Sequence, residues 1–270
     1  MLLFTFIHLT VFTTAQPNFI SNICMNENGN YTSNSLYRSN LDAALSSISS
    51  NTNTTTYGFY NTSVGQNADT ANALALCRGD INSDICGQCV YNSTLKLREV
   101  CPNQKEAYGW YDFCMLRYWN RSIFQNRADS PGFTLSNPTN VSNMARFNDD
   151  LRTLMDTLRS QAAAGGPLRK FAAGNISGPD FLTIYGLVQC TPDLSLDDCN
   201  TCLDGAARGI PGCCGGRRGG QVVRTSCSVR FEVDPFFNVT QADATPPPTP
   251  LQPLSPPPTG IIKTLIIGLC

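Results

Sequence analysis

The sequence predicts an α+β protein of two tandem disulfide-stapled domains, each an antiparallel β-sheet with two helices packed on one face. The first observation is an offset. Cys77, Cys86, Cys89, Cys101 and Cys114 return as Cys190, Cys199, Cys202, Cys214 and Cys227, each 113 residues on, as 190 is from 77. An offset held through five positions without a gap marks a duplicated unit whose cysteine framework tolerates no insertion. Leu41, Leu45, Leu74 and Arg117 obey it too, returning as Leu154, Leu158, Leu187 and Arg230. The second observation is that each copy alternates helical stripes with short β-type runs, the pattern of a sheet with helices on one face. The third is cysteine usage: thirteen in 270 residues would be a liability in a reducing cytosol and are staples in an oxidising compartment.

The elements follow in order. Residues 2–12, LLFTFIHLTVF, run apolar into Thr13-Thr14-Ala15 and read as a signal peptide over 1–15. The first domain is placed at 16–128. Leu41, Ala44, Leu45 and Ile48 form a one-sided helical stripe, followed by β-type runs at 57–64 and 71–77. A second helix, starting near Ser83 or Asp84, carries Cys86 and Cys89, and a β-rich stretch at 107–119 is divided near Cys114. Residues 129–143 are polar, with Pro131 and Pro138 restricting them, and read as a linker that holds the domains close.

The second domain, 144–240, repeats the plan. Its helical stripe is Phe147, Leu151, Leu154, Met155 and Leu158, with Asn148 or Asp149 as cap and Gly165-Gly166-Pro167 as breaker. Strand-type runs at 168–174 and 183–190 follow. Ser195 with Asp198 has the capping-box form and starts a helix from Leu196 to about Arg208. The stretch 221–233 is divided near Cys227. Residues 241–260 are a Pro-rich, polyproline-like stalk, and 261–270 begin an apolar segment about half of the ~20 residues a membrane span needs, read as the start of a truncated transmembrane segment.

Composition excludes several functions. A net charge of −1 with 14% charged residues gives no field favouring nucleic acid, and a membrane enters only through the C-terminal segment. The one histidine, His8, lies in the signal peptide, so the mature chain cannot run a His-based triad, a Cys-His dyad or a His metal site. No enzyme activity, cofactor or metal is expected. The pairs Cys86/Cys89 and Cys199/Cys202 have the spacing of redox motifs or half zinc sites, but the repeat fixes partners for them elsewhere and favours structural disulfides. Arg208, Arg217, Arg218, Arg224 and Arg230 cluster as a locally basic surface around a glycine-rich loop. Eight sequons, at Asn30, Asn53, Asn61, Asn92, Asn120, Asn140, Asn175 and Asn238, fit export, and about half are expected to carry glycan.

Cys77-RGDINSDI-Cys86-GQ-Cys89 and Cys190-TPDLSLDD-Cys199-NT-Cys202 are both C-x8-C-x2-C, flanked by YGLVQCTPDLS, the Cys213-Cys214 pair and SCSVRFEVDPFF. This resembles the ginkbilobin-homologous, or salt-stress/antifungal, domain of plants, over nearly all of residues 20–236. That domain occurs twice in the ectodomains of cysteine-rich receptor-like kinases and in secreted cysteine-rich repeat proteins. The resemblance implies the pairings Cys24–Cys101, Cys77–Cys86, Cys89–Cys114, Cys190–Cys199 and Cys202–Cys227. No cysteine of the second repeat corresponds to Cys24, which leaves Cys213 and Cys214 to form a vicinal bridge or remain thiols.

The family's mannose site, carried over by position, falls on Met25, Tyr108 and Trp119 in the first repeat, none of which matches, and on Gln221 and Glu232 in the second, where Glu232 alone survives. Tyr108, Trp110 and Trp119 still form an aromatic-rich stretch able to serve sugar or protein contacts, so these three and Glu232 are the candidate binding residues. The expected function is a non-catalytic extracellular recognition module in plant stress or defence signalling. It would be secreted to the apoplast or held at the extracellular face of the plasma membrane, and would meet a glycan, a protein ligand or a co-receptor. The competing readings are a secreted antifungal, lectin-like protein and a thiol-redox module.

Overall fold

The computed structural model describes residues 17–53 and 57–238; the signal peptide read at 1–15, the stalk at 241–260, the apolar segment at 261–270 and Cys270 lie outside the described residues. The first repeat runs β1 (Phe19–Cys24), α1 (Leu36–Ser50), β2 (Phe59–Val64), β3 (Ala71–Cys77), α2 (Ser83–Val100), β4 (Ala107–Tyr111) and β5 (Cys114–Trp119). The second runs β6 (Gly132–Ser136), α3 (Met144–Ala163), β7 (Lys170–Ser177), β8 (Thr183–Cys190), α4 (Leu196–Ala207), α5 (Ile210–Cys214), β9 (Gly219–Arg224) and β10 (Cys227–Glu232). Each repeat forms a five-stranded sheet, in the orders β1-β4-β5-β3-β2 and β6-β9-β10-β8-β7, antiparallel at every pairing. The two orders are the same order. Even the register repeats: Cys77 lies opposite Cys114 as Cys190 lies opposite Cys227.

In the first repeat Tyr37, Leu41, Ala44, Leu45 and Ile48 bury one face of α1, and the Ser35 hydroxyl accepts the Arg38 amide as cap. Asn82 caps α2 in the same way by accepting the Ile85 amide. Strand β3, ANALALC, is buried throughout, because helices cover one side of it and the other repeat covers the second. In the second repeat the stripe from Phe147 to Leu158 packs down on β8 at Gly186, where an added Cβ would stand 2.6 Å from the Met155 methyl and 2.9 Å from Leu154 and Leu158. At the far end of α3 the buried Lys170 ammonium donates to the carbonyls of Ala163 (3.0 Å) and Gly165 (2.8 Å), a cation placed on the negative end of the helix dipole.

Two expectations need correction. Helix α3 begins at Met144, with the Asn143 side chain accepting the Arg146 amide at 3.3 Å, so Asn148 and Asp149 lie inside the helix and not at its cap. Residues 129–143, read as a linker, contain β6, the edge strand of the second sheet, paired with β9 from Gly132↔Arg224 to Ser136↔Gly220. Its five residues are mostly exposed, and the alternation of Phe133 and Leu135 with small polar neighbours is too short to mark a strand without the ladder to β9. Helix α4 spans Leu196–Ala207; the Asp198 amide donates to the Ser195 hydroxyl (3.0 Å), which donates to Asp198 Oδ2 (2.7 Å).

The described cysteines form six disulfides: Cys24–Cys101, Cys77–Cys86, Cys89–Cys114, Cys190–Cys199, Cys202–Cys227 and Cys213–Cys214. In the second repeat the residue 113 positions after Cys24 is Asn137, just beyond β6, so Cys214 has no thiol across from it and joins its neighbour. Cys24–Cys101 closes 77 residues, which the chain-entropy model values at roughly 4 to 5 kcal/mol. The second repeat lacks that constraint, and its longer first helix, 20 residues against 15, adds Phe147 to the core, where it meets Phe231 at 6.2 Å between centroids.

Candidate functional site

The faces of the two sheets that point away from the helices meet. Tyr108 and Trp110 of β4 stack at 5.8 Å between centroids, and Trp110 takes the edge of Phe133 from β6 at 5.3 Å. Leu74, Leu76, Met115, Ile123 and Val223 close the cluster around them. Hydrogen bonds fix the register across the seam. The Gln189 side-chain amide donates to the Cys77 carbonyl (2.9 Å), its oxygen accepts the Gly79 amide (3.3 Å), and Arg169 donates to the Gly79 carbonyl (3.1 Å). Gly79 has to be small, since a Cβ there would lie 2.5 Å from the Phe171 ring.

The candidate binding residues divide in this frame. Tyr108 and Trp110 are 5% and 4% exposed, so no ligand reaches them while the domains are together. The two candidates lie in the joint between the domains: the apolar face they form meets the second sheet. The Tyr108 hydroxyl donates to the buried Glu106 carboxylate, which also accepts from the Asn28 amide; burial and the Glu106 hydrogen bond raise the Tyr108 pKa far above its ordinary value. Arg117, on the same face, is buried with one nitrogen donating to the Ile123 carbonyl at 2.7 Å, and desolvation lowers its pKa. Trp119 is half-buried at the edge of the cluster under the Arg121 guanidinium, 5.3 Å from its ring. Glu232 stands apart on β10, paired with Arg230 at 3.0 Å, and Arg230 in turn stacks on Phe236 at 4.5 Å.

Met25, Tyr108 and Trp119 do come together, but in a buried apolar cluster where the Tyr108 hydroxyl and the Glu106 carboxylate are already bonded within the chain and not offered to sugar hydroxyls. Four of the five clustered arginines, Arg218 excepted, have local partners. Arg208 pairs with Asp204 (2.9 Å), Arg224 with Asp129 (3.6 Å), and Arg217 donates to the Pro138 carbonyl (2.8 Å). Cys86 and Cys89 lie in separate bridges, as do Cys199 and Cys202, all of them buried. Among the sequons, Asn30, Asn61, Asn140, Asn175 and Asn238 are exposed, Asn120 is half-exposed, and Asn92 sits within α2 beside the buried Ser93 and Thr94; Asn53 belongs to a sequon that runs into undescribed residues.

The seam encloses a cavity of about 80 Å³, lined among others by Trp110, Phe133, Gln189 and Thr191. That is well below the ~300 Å³ at which ligand pockets begin. A larger hollow, about 540 Å³, lies outside, between α3 and the α4–α5 turn, with Leu151, Met155, Ile210 and Pro211 as its floor and Arg152, Asp156, Asp204 and Arg208 around it. In the first repeat the counterparts of Leu151, Met155 and Pro211 are Arg38, Asp42 and Arg98, which join in ion pairs of 4.0 and 2.7 Å. One scaffold thus carries an apolar hollow in one copy and a charged one in the other. Gln189 and Phe133 were missed by sequence reasoning. Aligned at the 113-residue offset, Gln189 replaces Leu76 in a strand otherwise apolar, and that exchange was the available signal.

The salt stress response/antifungal family model matches residues 23–121 and 134–234, the two repeats. The chain is 38% identical over 248 residues to the cysteine-rich receptor-like protein kinase 26 of Arabidopsis thaliana, covering 90% of this chain and 36% of that protein. It is 40% identical over 208 residues to an antimicrobial ginkbilobin-2-like protein of Castanea crenata, covering 77% of this chain and 85% of that one. The chain spans about a third of the length of the receptor-like kinases it matches. Among solved structures, the tandem DUF26 ectodomain of the Arabidopsis thaliana cysteine-rich receptor-like protein PDLP8 superposes with a TM-score of 0.69 at 25% identity, over 79% of this chain and 97% of that one. Two matched repeats and one shared sheet order lead to one conclusion: the chain belongs to the salt stress response/antifungal family, carries two of its domains in tandem and shares the fold of the tandem DUF26 ectodomain.

Proposed function

We propose that the chain is a non-catalytic recognition module of plant stress or defence signalling, working in the apoplast or at the outer face of the plasma membrane, and that it presents both domains to a ligand or co-receptor as one body. The observation that carries this reading is the seam. Tyr108 and Trp110, the large aromatics best suited to hold a ligand, are spent on joining the domains, so recognition falls to outward surfaces. The exposed sequons Asn30, Asn61, Asn140 and Asn175 are the proposed glycan carriers.

A second reading, a secreted antifungal lectin, draws on Glu232 and on the antimicrobial relative. Against it, Glu232 is already paired with Arg230, and the equivalent first-repeat positions are apolar or aromatic. Titration calorimetry of the secreted protein with mannose separates the two. No saturable heat is expected; saturable heat that Glu232→Ala abolishes would transfer the function to the lectin reading.

A further inference from the structure

The 113-residue offset relates contacts as well as positions. In the first domain Asp80, in the turn after β3, accepts the backbone amide of Asn238, in the tail that follows β10 (3.3 Å to Oδ2). In the second domain Asp193, 113 residues on, accepts the backbone amide of Gln125, in the tail that follows β5 (2.7 Å to Oδ2). Gln125 and Asn238 are themselves 113 residues apart. Each domain therefore grips the other's tail through the same atoms, the arrangement of an isologous two-fold interface built inside one chain.

The two grips are unequal. Asp80 is 3% exposed and pairs with Arg78 (2.8 Å from Nη2 to Oδ2); Arg78 lies over the Phe113 ring at 5.0 Å and donates to the Phe236 carbonyl at 3.2 Å. Together Arg78 and Asp80 engage a carbonyl and, two residues later, an amide of the same extended tail. In the second domain Thr191 stands where Arg78 would be, its hydroxyl buried without a hydrogen-bond partner, and Asp193 holds its tail with no arginine bonded to it, the buried Arg117 acting on it only through charge. The hydrogen bond to Asp193 is the shorter of the two, but only the first domain adds a second contact, from Arg78 to the Phe236 carbonyl, and so holds residues 236–238 at two points, from which the chain leads to the Pro-rich stretch.

We propose that Arg78 and Asp80 form a latch that fastens the exit strap, residues 236–238, to the first domain, so that the chain leaving the second domain is held by its neighbour. A shift of one domain on the other then reaches the root of the C-terminal segment directly. Asp80 and Asp193 are positioning residues, one for each strap.

Amide hydrogen exchange on the secreted full chain tests this. Asp80→Ala is expected to speed exchange of the Asn238 amide about tenfold or more, the effect of losing a hydrogen bond to a charged group, while Gln125 stays protected. Asp193→Ala is expected to do the reverse. If Asp80→Ala fails to be secreted, Asp80→Asn keeps the shape and removes the charge assistance, and a smaller rise confined to Asn238 is expected. An unchanged Asn238 amide would overturn the latch. So would equal rises at both amides in either variant, because the straps would then be reporting opening of the whole seam.

Discussion

Trp110 shows how one side chain decides between a binding surface and a joint. Its ring lies between Tyr108 and Phe133, and its indole nitrogen is buried without a hydrogen-bond partner, a cost that the packing of the ring offsets. Trp110→Ala is expected to cost about 3 to 5 kcal/mol, the range for deleting a large buried aromatic, and chemical denaturation of the secreted protein measures it. Trp119→Ala, at a half-buried rim position, is expected to cost much less. Equal effects would mean that the seam does not distinguish core from rim. The alternation in AYGWY made it legible that Tyr108 and Trp110 share one side of β4. That the other domain covers part of that side is expected from the size of the aromatic surface and the short linker; which residues cover it was not legible, because Phe133 and Val223 are far away in sequence and carry no local signature of contact.

Among the elements, α3 packs closely on β8. Gly186 leaves room for Leu154, Met155 and Leu158 where the first repeat has Ala73, so α3 comes down almost onto the backbone of the sheet. Gly186→Val is expected to destabilise the second domain by about 1 to 3 kcal/mol through overpacking, seen as a lower melting temperature with the native disulfides intact. An unchanged melting temperature would show that the helix can lift without penalty. Helices α1, α2 and α4 were readable because their stripes and caps are local. Strand β6 was not: a five-residue exposed edge becomes a strand only through its ladder to β9, nearly ninety residues downstream.

At the scale of the whole molecule, the connection between domains is shorter and tighter than its polar composition suggests. The Ala128 amide donates to the Ser226 hydroxyl (3.0 Å), the Ser226 amide to the Ala128 carbonyl (3.1 Å), and the Thr225 hydroxyl to the Pro131 carbonyl (2.8 Å). Small-angle scattering on residues 16–240 is therefore expected to fit a single body, with slow proteolysis between 126 and 131. A profile that requires separated domains, with rapid cleavage into two stable halves, would mean that the seam does not hold in solution.

The sequence by itself determined the duplication, the α+β class, the helical stripes and the Ser195 cap of α4. Each of these rests on spacing along the chain or on composition, which survive without coordinates. Tertiary structure alone decided which apolar face meets which. A buried strand such as ANALALC reads the same whether its second face meets a helix, a ligand or another domain. It also decided what the repeated aspartates do. Asp80 and Asp193 are identical in sequence context to any turn aspartate, and they become partners of Asn238 and Gln125 because a two-fold packing of the domains brings each tail to the other's turn.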